Sequence, residues 1–145
     1  RGCIRATVRG RPGDVGSVTY LLDTCTFVWL CAEPQRLSPA SRDAIDTPTS
    51  TLLFSDVSAL ELTLKWQAGK IQLPDPPRQW IERQLSAWTL TTIPISREDI
   101  YRAGELADHH RDPFDRLLVA MAINHSATML TPDRAIHRYP VSFRW

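Results

Sequence analysis

The sequence predicts an α/β protein: a central, mainly parallel sheet with helices on both faces. Three observations carry this. Short apolar runs at 20–23, 51–55 and 128–131 alternate with amphipathic stretches of helical length. Strands separated by helices need crossover connections, which make the strands parallel and bury both faces of the sheet. Finally, 145 residues, 43% hydrophobic and 23% charged, suffice for one globular domain with a proper core.

YLLD (20–23) reads as a buried strand ending in a carboxylate, followed by a short helical segment with Phe27, Trp29 and Leu30. Ser38 and Pro39 are an N-cap and a first-turn proline, opening a helix to about Asp46. TLLFS (51–55) is the second strand. Ser55 or Asp56 caps the next helix, which carries Val57, Leu60 and Leu64 and stops at Gly69. Pro74, Pro76 and Pro77 stiffen the connection to an amphipathic helix with Trp80, Ile81, Leu85 and Trp88. TLTTIPI (89–95) is a third strand with Pro94 near its end. Ser96 caps a helix from Arg97 to about His109, and Asp112-Pro113 opens another from Phe114 to about Asn124. TMLT (128–131) is the fourth strand, Asp133 starts a short helix, and VSF (141–143) is a last strand.

Residues 1–18 stand apart. They hold four arginines, one acid and four of the six glycines, without helical or strand periodicity. They read as a disordered extension or as upstream sequence foreign to the domain, which is expected to span 19–145. Without them, 13 basic residues face 15 acidic ones, so a broad basic nucleic-acid surface is not expected. Only Gly69 and Gly104 remain, which excludes phosphate-cradling glycine loops. Cys3, Cys25 and Cys31 are too few and too unevenly spaced for a disulfide framework or a zinc site. They are read as reduced thiols of a cytoplasmic protein, and no apolar run approaches a bilayer span.

Carboxylates fall where open parallel sheets bind ligands, beyond the carboxyl ends of the strands. Asp23 ends the first strand, Asp133 follows the fourth, and Asp115 lies in the first turn of a helix. Asp112 is the N-cap of that helix, with Asp115 three residues on, as in a capping box. Glu61 is different, because it lies mid-helix among Ala59, Leu60, Leu62 and Leu64. A carboxylate on a buried face costs several kcal/mol unless paired or metal-bound, whereas an ordinary helix pair with Lys65 contributes only about 0.3–0.5 kcal/mol. The four acids form a hard-oxygen set without a His/Cys cluster, which favours Mg²⁺ or Mn²⁺ over zinc. Several carboxylates around Mg²⁺ suit phosphodiester hydrolysis. Clustered without metal, they should repel one another and show raised pKa values.

Four segments together, YLLDTCTFVWL (20–30), FSDVSALELTLK (54–65), HHRDPFDRLLVAMA (109–122) and MLTPDRAIHRYPV (129–141), resemble PIN-domain ribonucleases, specifically the VapC toxins of bacterial type II toxin–antitoxin systems. The resemblance implies a three-layer α/β/α fold and an Mg²⁺- or Mn²⁺-dependent endoribonuclease that leaves 5′-phosphate and 3′-hydroxyl ends. It implies growth inhibition until a cognate antitoxin neutralises the protein. Carried over position by position, Asp23, Glu61 and Asp115 would hold one ion directly or through water, and Asp133 would complete the cluster or recruit a second. Thr24 and Thr131 match hydroxyl positions beside the acids. Asp112 belongs to the DPFD pattern and supports the ligands from behind. Arg116 is a candidate phosphate contact through its planar fork.

His109 and His110 are expected at a helix end, favoured there by the helix dipole rather than by catalysis. His125 and His137 have no ligand-like spacing. Trp66, Trp80 and Trp88 are expected in the core, while Phe27 and Trp29 suit an apolar groove for an antitoxin helix. Implied partners are RNA, an antitoxin and a second copy of the chain, with the proline-flanked helical region as a candidate dimer interface. Two alternatives stand beside this reading. One is a haloacid-dehalogenase-like phosphatase, which needs a second Asp where Cys25 stands. The other is a non-catalytic RNA- or antitoxin-binding module.

Overall fold

The computed structural model describes residues 17–145. The expectation for 1–18, and Cys3 with it, therefore lies outside the described residues except for Ser17 and Val18. Five short strands form one parallel sheet: β1 (Thr19–Leu22), β2 (Thr51–Ser55), β3 (Thr91–Ile93), β4 (Thr128–Leu130) and β5 (Phe143–Arg144), in the spatial order β3-β2-β1-β4-β5. Tyr20 pairs with Leu52 on one side and with Thr128 on the other, so β1 is central. Among the described residues, six helices fill the connections: α1 (Thr24–Ala32), α2 (Pro39–Asp46), α3 (Asp56–Gln67), α4 (Pro77–Ala87), α5 (Arg97–Glu105) and α6 (Pro113–Asn124). None is long and apolar enough to cross a membrane.

Strand alternation sorts the core into two layers. Tyr20, Leu22, Leu52, Phe54 and Leu130 face Phe27 and Leu30 of α1, Ile45 of α2, and Trp80, Ile81 and Leu85 of α4. Leu21, Leu53 and Met129 point the other way, onto Leu118, Val119, Met121 and Ala122 of α6. This three-layer arrangement is the fold that the alternating pattern predicts. Phe27 is wholly buried, with its ring 4.6 Å from that of Phe54, so it belongs to the core and not to a groove. Trp80 and Trp88 are buried as expected, but Trp66 is 38% exposed at the solvent side of α3.

The chain runs outward from β1 to β2 and β3, then returns to β4 on the opposite side of β1. The β1/β4 boundary is therefore a topological switch point, where the connections leaving adjacent strands diverge and open a crevice. Its two lips are tied together. The carbonyl of Leu130 accepts from the backbone N–H of Asp23 at 3.3 Å and from Thr26 Oγ1 at 2.8 Å.

Helix ends account for the departures from the sequence reading. α3, α4 and α6 all close with the residue after the C-cap in the left-handed region: Gly69 (φ 70°), Thr89 (φ 53°) and Ser126 (φ 50°). Each is followed by a six-residue closing bond, Lys70 N–H to Lys65 O, Leu90 N–H to Leu85 O, and Ala127 N–H to Ala122 O. Only the first uses glycine. Thr89 and Leu90 are spent on this turn, so the third strand begins at Thr91 and is shorter than the 89–95 expected. The last strand is displaced to Phe143–Arg144. α5 stops at Glu105, leaving His109 and His110 in a loop and not at a helix terminus. Asp133 begins no regular α-helix; only a 3₁₀ turn, Ile136–Arg138, follows it.

A β-branched residue in the left-handed region is strained by about 1–2 kcal/mol, and glycine's extra chain entropy returns about 0.5–1 kcal/mol of that. Thr89→Gly is therefore expected to stabilise the protein by about 0.5–1 kcal/mol in denaturant unfolding. A destabilised variant would show that the threonine side chain contributes more than its backbone costs.

Candidate active site

Asp23 leaves β1 and caps α1, its Oδ1 accepting from the Thr26 backbone N–H at 2.7 Å and from Cys25 Sγ at 3.2 Å. It is only 3% exposed. Burial raises its pKa, against the hydrogen bonds from Thr131, Thr26 and Cys25. Thr131 follows β4, is fully buried, and its hydroxyl also accepts from the Asp133 backbone N–H at 3.1 Å. Thr24 is buried, and its hydroxyl pairs with Ser58 Oγ at 2.9 Å, joining α1 to α3 instead of capping a helix.

Glu61 projects from the middle of α3 and is 5% exposed. Its Oε2 accepts from Lys65 Nζ, the i,i+4 partner, whose own pKa is raised mainly by that bond. Its Oε1 is buried with no hydrogen-bond partner among the described residues. The bland helix-pair reading thus accounts for one oxygen and leaves the other unexplained.

Asp112 caps α6 through Oδ1, accepting from Phe114 N at 2.8 Å and Asp115 N at 3.3 Å. That cap, with Pro113 beside it, aims the first turn of α6 at the crevice and sets Asp115 there. Burial, then the charge of Asp112, pushes the Asp115 carboxyl up to about 7; His110 opposes the rise, and Glu61 and Asp23 add to it. Asp133 behaves differently. Its Oδ2 lies 2.8 Å from His110 Nε2 and its Oδ1 accepts from Ala135 N at 2.8 Å. Burial would raise it, but these bonds outweigh burial and hold it below the ordinary range. The expectation of raised values throughout the cluster therefore fails at Asp133.

Asp23, Glu61, Asp112, Asp115 and Asp133 all line one cavity of about 330 Å³ at the β1/β4 switch point, together with Thr24, Trp29 and, as the one Lys or Arg among the described lining residues, Lys65. A buried, unpartnered carboxylate oxygen beside carboxylates with raised pKa values fits a divalent cation. Oxygen donors dominate the set, as hard ions such as Mg²⁺ and Mn²⁺ require.

Two sequence expectations are corrected here. Arg116 does not reach for phosphate, because its guanidinium is already occupied by the protein. Nη2 donates to the carbonyls of Ala103 and Leu106, and Nη1 to those of Ala107 and His110 and to Tyr139 Oη. His110, read as a dipole partner, instead lies within 3.1 Å of Asp115 Oδ2 and 2.8 Å of Asp133 Oδ2. The available signal was its position two residues before the Asp112 cap, close enough to turn back onto the first turn of α6.

The architecture and this carboxylate cavity define a nuclease-like α/β class, and comparison with known proteins makes the family explicit. The PIN domain model matches residues 20–141, so this chain belongs to the PIN-domain family. Within that family it groups with the VapC proteins. It is 35% identical over 125 residues to Ribonuclease VapC22 of Mycobacterium tuberculosis (strain ATCC 25618 / H37Rv), covering 84% of this chain and 94% of that protein. Solved structures share the fold. VapBC2 from Rickettsia felis, bound to a DNA fragment from its promoter, is 20% identical with a TM-score of 0.62, covering 87% of this chain and 97% of that one. DNA-bound VapBC from Salmonella typhimurium is 18% identical with a TM-score of 0.60, covering 87% and 96%. The match sets aside the phosphatase alternative.

The raised Asp115 pKa carries a stability consequence with a definite sign. Its contribution favours the metal-free fold below the ordinary 3.8 and is lost as pH rises through about 7. Asp133, held low, acts only at more acidic pH. In EDTA, the Tm of Asp115→Asn minus that of the unsubstituted protein is expected to grow from about pH 5 to about pH 8. Thermal unfolding by circular dichroism measures it; a difference that stays constant over this interval would contradict the assignment.

Proposed function

We propose that this protein is a divalent-metal-dependent endoribonuclease of the VapC type, a toxin restrained by a cognate antitoxin. The observation that carries the reading is Glu61 Oε1, buried and unpartnered in a cavity lined by five carboxylates. The 35% identity to a ribonuclease over most of both chains supports the same substrate class.

Asp23, Glu61 and Asp115 would hold the cation, directly or through water, with Asp133 completing the set. Bound there, Mg²⁺ or Mn²⁺ would lower the pKa of a water, polarise the scissile phosphate and offset charge on the leaving oxygen. The chain's own groups do the rest. Asp23 keeps its orientation through Thr26 and Cys25, and Thr131 supports both Asp23 and Asp133. Asp112 holds the first turn of α6, and so the Asp115 carboxylate, at the crevice. Among the described residues lining the cavity, Lys65 supplies the positive side chain, at its solvent side, where an RNA phosphate would enter. Asp115, its pKa pushed up to about 7, would have to be deprotonated to hold the cation, so metal uptake should strengthen with pH.

An antitoxin protein and a second copy of this chain belong to the same reading as partners. Leu60 and Leu64, four residues apart on α3 and 45% and 46% exposed, offer apolar surface for one of them.

Cleavage of total RNA by the purified, antitoxin-free protein tests the proposal. Discrete fragments with 5′-phosphates are expected in Mg²⁺ or Mn²⁺, none in EDTA and none with Asp23→Ala. Glu61→Gln is expected to slow cleavage by about 100-fold or more. Intact RNA after incubation with folded, metal-loaded protein would contradict the nuclease reading and favour a non-catalytic binding module.

A further inference from the structure

We propose that His110 is a positioning residue of this centre: its Nε2–H holds Asp133 beside Asp115, and it is not a ligand of the metal. This deepens the nuclease reading and rests on it for the identity of the site.

The far side of the His110 ring fixes its tautomer. Nδ1 accepts the backbone N–H of Asp112 at 3.1 Å. An amide N–H can only donate, so Nδ1 carries the lone pair, and the ring proton of the neutral tautomer sits on Nε2. Nε2 donates to Asp133 Oδ2 at 2.8 Å and lies 3.1 Å from Asp115 Oδ2, so the ring holds one carboxylate by a hydrogen bond and stands against a second from a different part of the fold. Asp115 rides on α6, whereas Asp133 lies in the loop after β4. Among the described residues, His110 thus tethers the two banks of the switch-point crevice directly at the acids.

The same three residues also read as a ligand set, because one donor atom from each of His110, Asp115 and Asp133 lies within 4.8 Å of the others. The backbone argues against it. To ligate through Nε2, the neutral ring must move its proton to Nδ1. That proton would then face the Asp112 N–H, setting two donors against each other and stranding a helix-capping residue's amide. With the proton on Nε2, both ring nitrogens and the Asp112 amide keep their partners.

The loop that presents His110 is built to stay put. Tyr139 Oη accepts from the backbone N–H of His109 at 3.1 Å and of His110 at 2.9 Å. Arg116, one residue beyond Asp115, gathers the carbonyls of Ala103, Leu106, Ala107 and His110 and also reaches Tyr139 Oη. A guanidinium with this many carbonyl partners fixes the 106–110 backbone, and His110 with it. Arg116 therefore serves the site at one remove, through the residue that sets the spacing of the two carboxylates.

The test reads the ring and the metal separately from RNA cleavage. In ¹⁵N-resolved NMR of the full chain, His110 is expected as the Nε2–H tautomer in EDTA and to remain so in saturating Mg²⁺. Calorimetric Mg²⁺ titration of His110→Ala is expected to show affinity weakened by about 10–100-fold. His110→Gln, whose amide N–H reaches the same place, should recover most of it. Loss of the Nε2 proton on Mg²⁺ binding would make His110 a ligand and overturn the proposal; so would wild-type Mg²⁺ affinity in a folded His110→Ala protein. If His110→Ala fails to fold, the wild-type tautomer and His110→Gln still decide. Mg²⁺ binding that depends on His110 in a protein that cleaves no RNA would keep the positioning role and reject the nuclease reading.

Discussion

Glu61 Oε1 is buried without a hydrogen-bond partner among the described residues, and the carboxylates around it share its difficulty. Burying an anion costs several kcal/mol unless a positive charge or hydrogen bonds offset it. Lys65 answers for one oxygen of Glu61 from a largely exposed position. His110 only partly offsets the burial of Asp115, whose pKa rises to about 7, and burial also pushes Asp23 upward. A fold that concentrates such groups in one cavity gives up stability in the metal-free state and recovers it when a cation enters. The rest of the architecture can be understood as the means of holding these acids together.

The sheet order supplies the place. Because β4 returns beside β1, the ends of those strands deliver Asp23, Thr131 and Asp133 to a single crevice, and α6 is capped so that its first turn points there. α3 crosses from β2 with Glu61 on its inner side. The framework around the crevice is heavily tied: Leu130 O to Thr26 and Asp23, Thr24 to Ser58, Arg116 to four carbonyls. Such ties keep like charges in proximity when their repulsion would separate them.

Much of this was legible because it depends on local rules. Strand alternation, Ser38-Pro39, the Ser96 cap and Asp112-Pro113 each have a short-range physical cause, and the observed elements follow them. Glu61 was conspicuous for the same reason, as a charge inside an apolar helical face. What escaped depends on contacts distant in the chain or on backbone without a distinctive residue. Thr89 and Ser126 take the left-handed cap position that glycine advertises at Gly69, so the start of β3 was misjudged. Ordinary helical composition ran through to His109, but α5 ends at Glu105, and the following turn is held by Arg116 and Tyr139 from elsewhere in the sequence. Hence the sequence alone offers Arg116 as a candidate phosphate contact and His110 as a dipole partner. No sequence spacing announces a side chain committed to four carbonyls.

The central claim is that a divalent cation relieves the charge crowded into this cavity. Calorimetric titration of Mg²⁺ at about pH 7, repeated in buffers of different ionisation enthalpy, measures that directly through the protons released. The account predicts saturable binding with release of a fraction of a proton per ion, abolished in Asp115→Asn. Binding without proton release, or no binding by the folded protein, would contradict it.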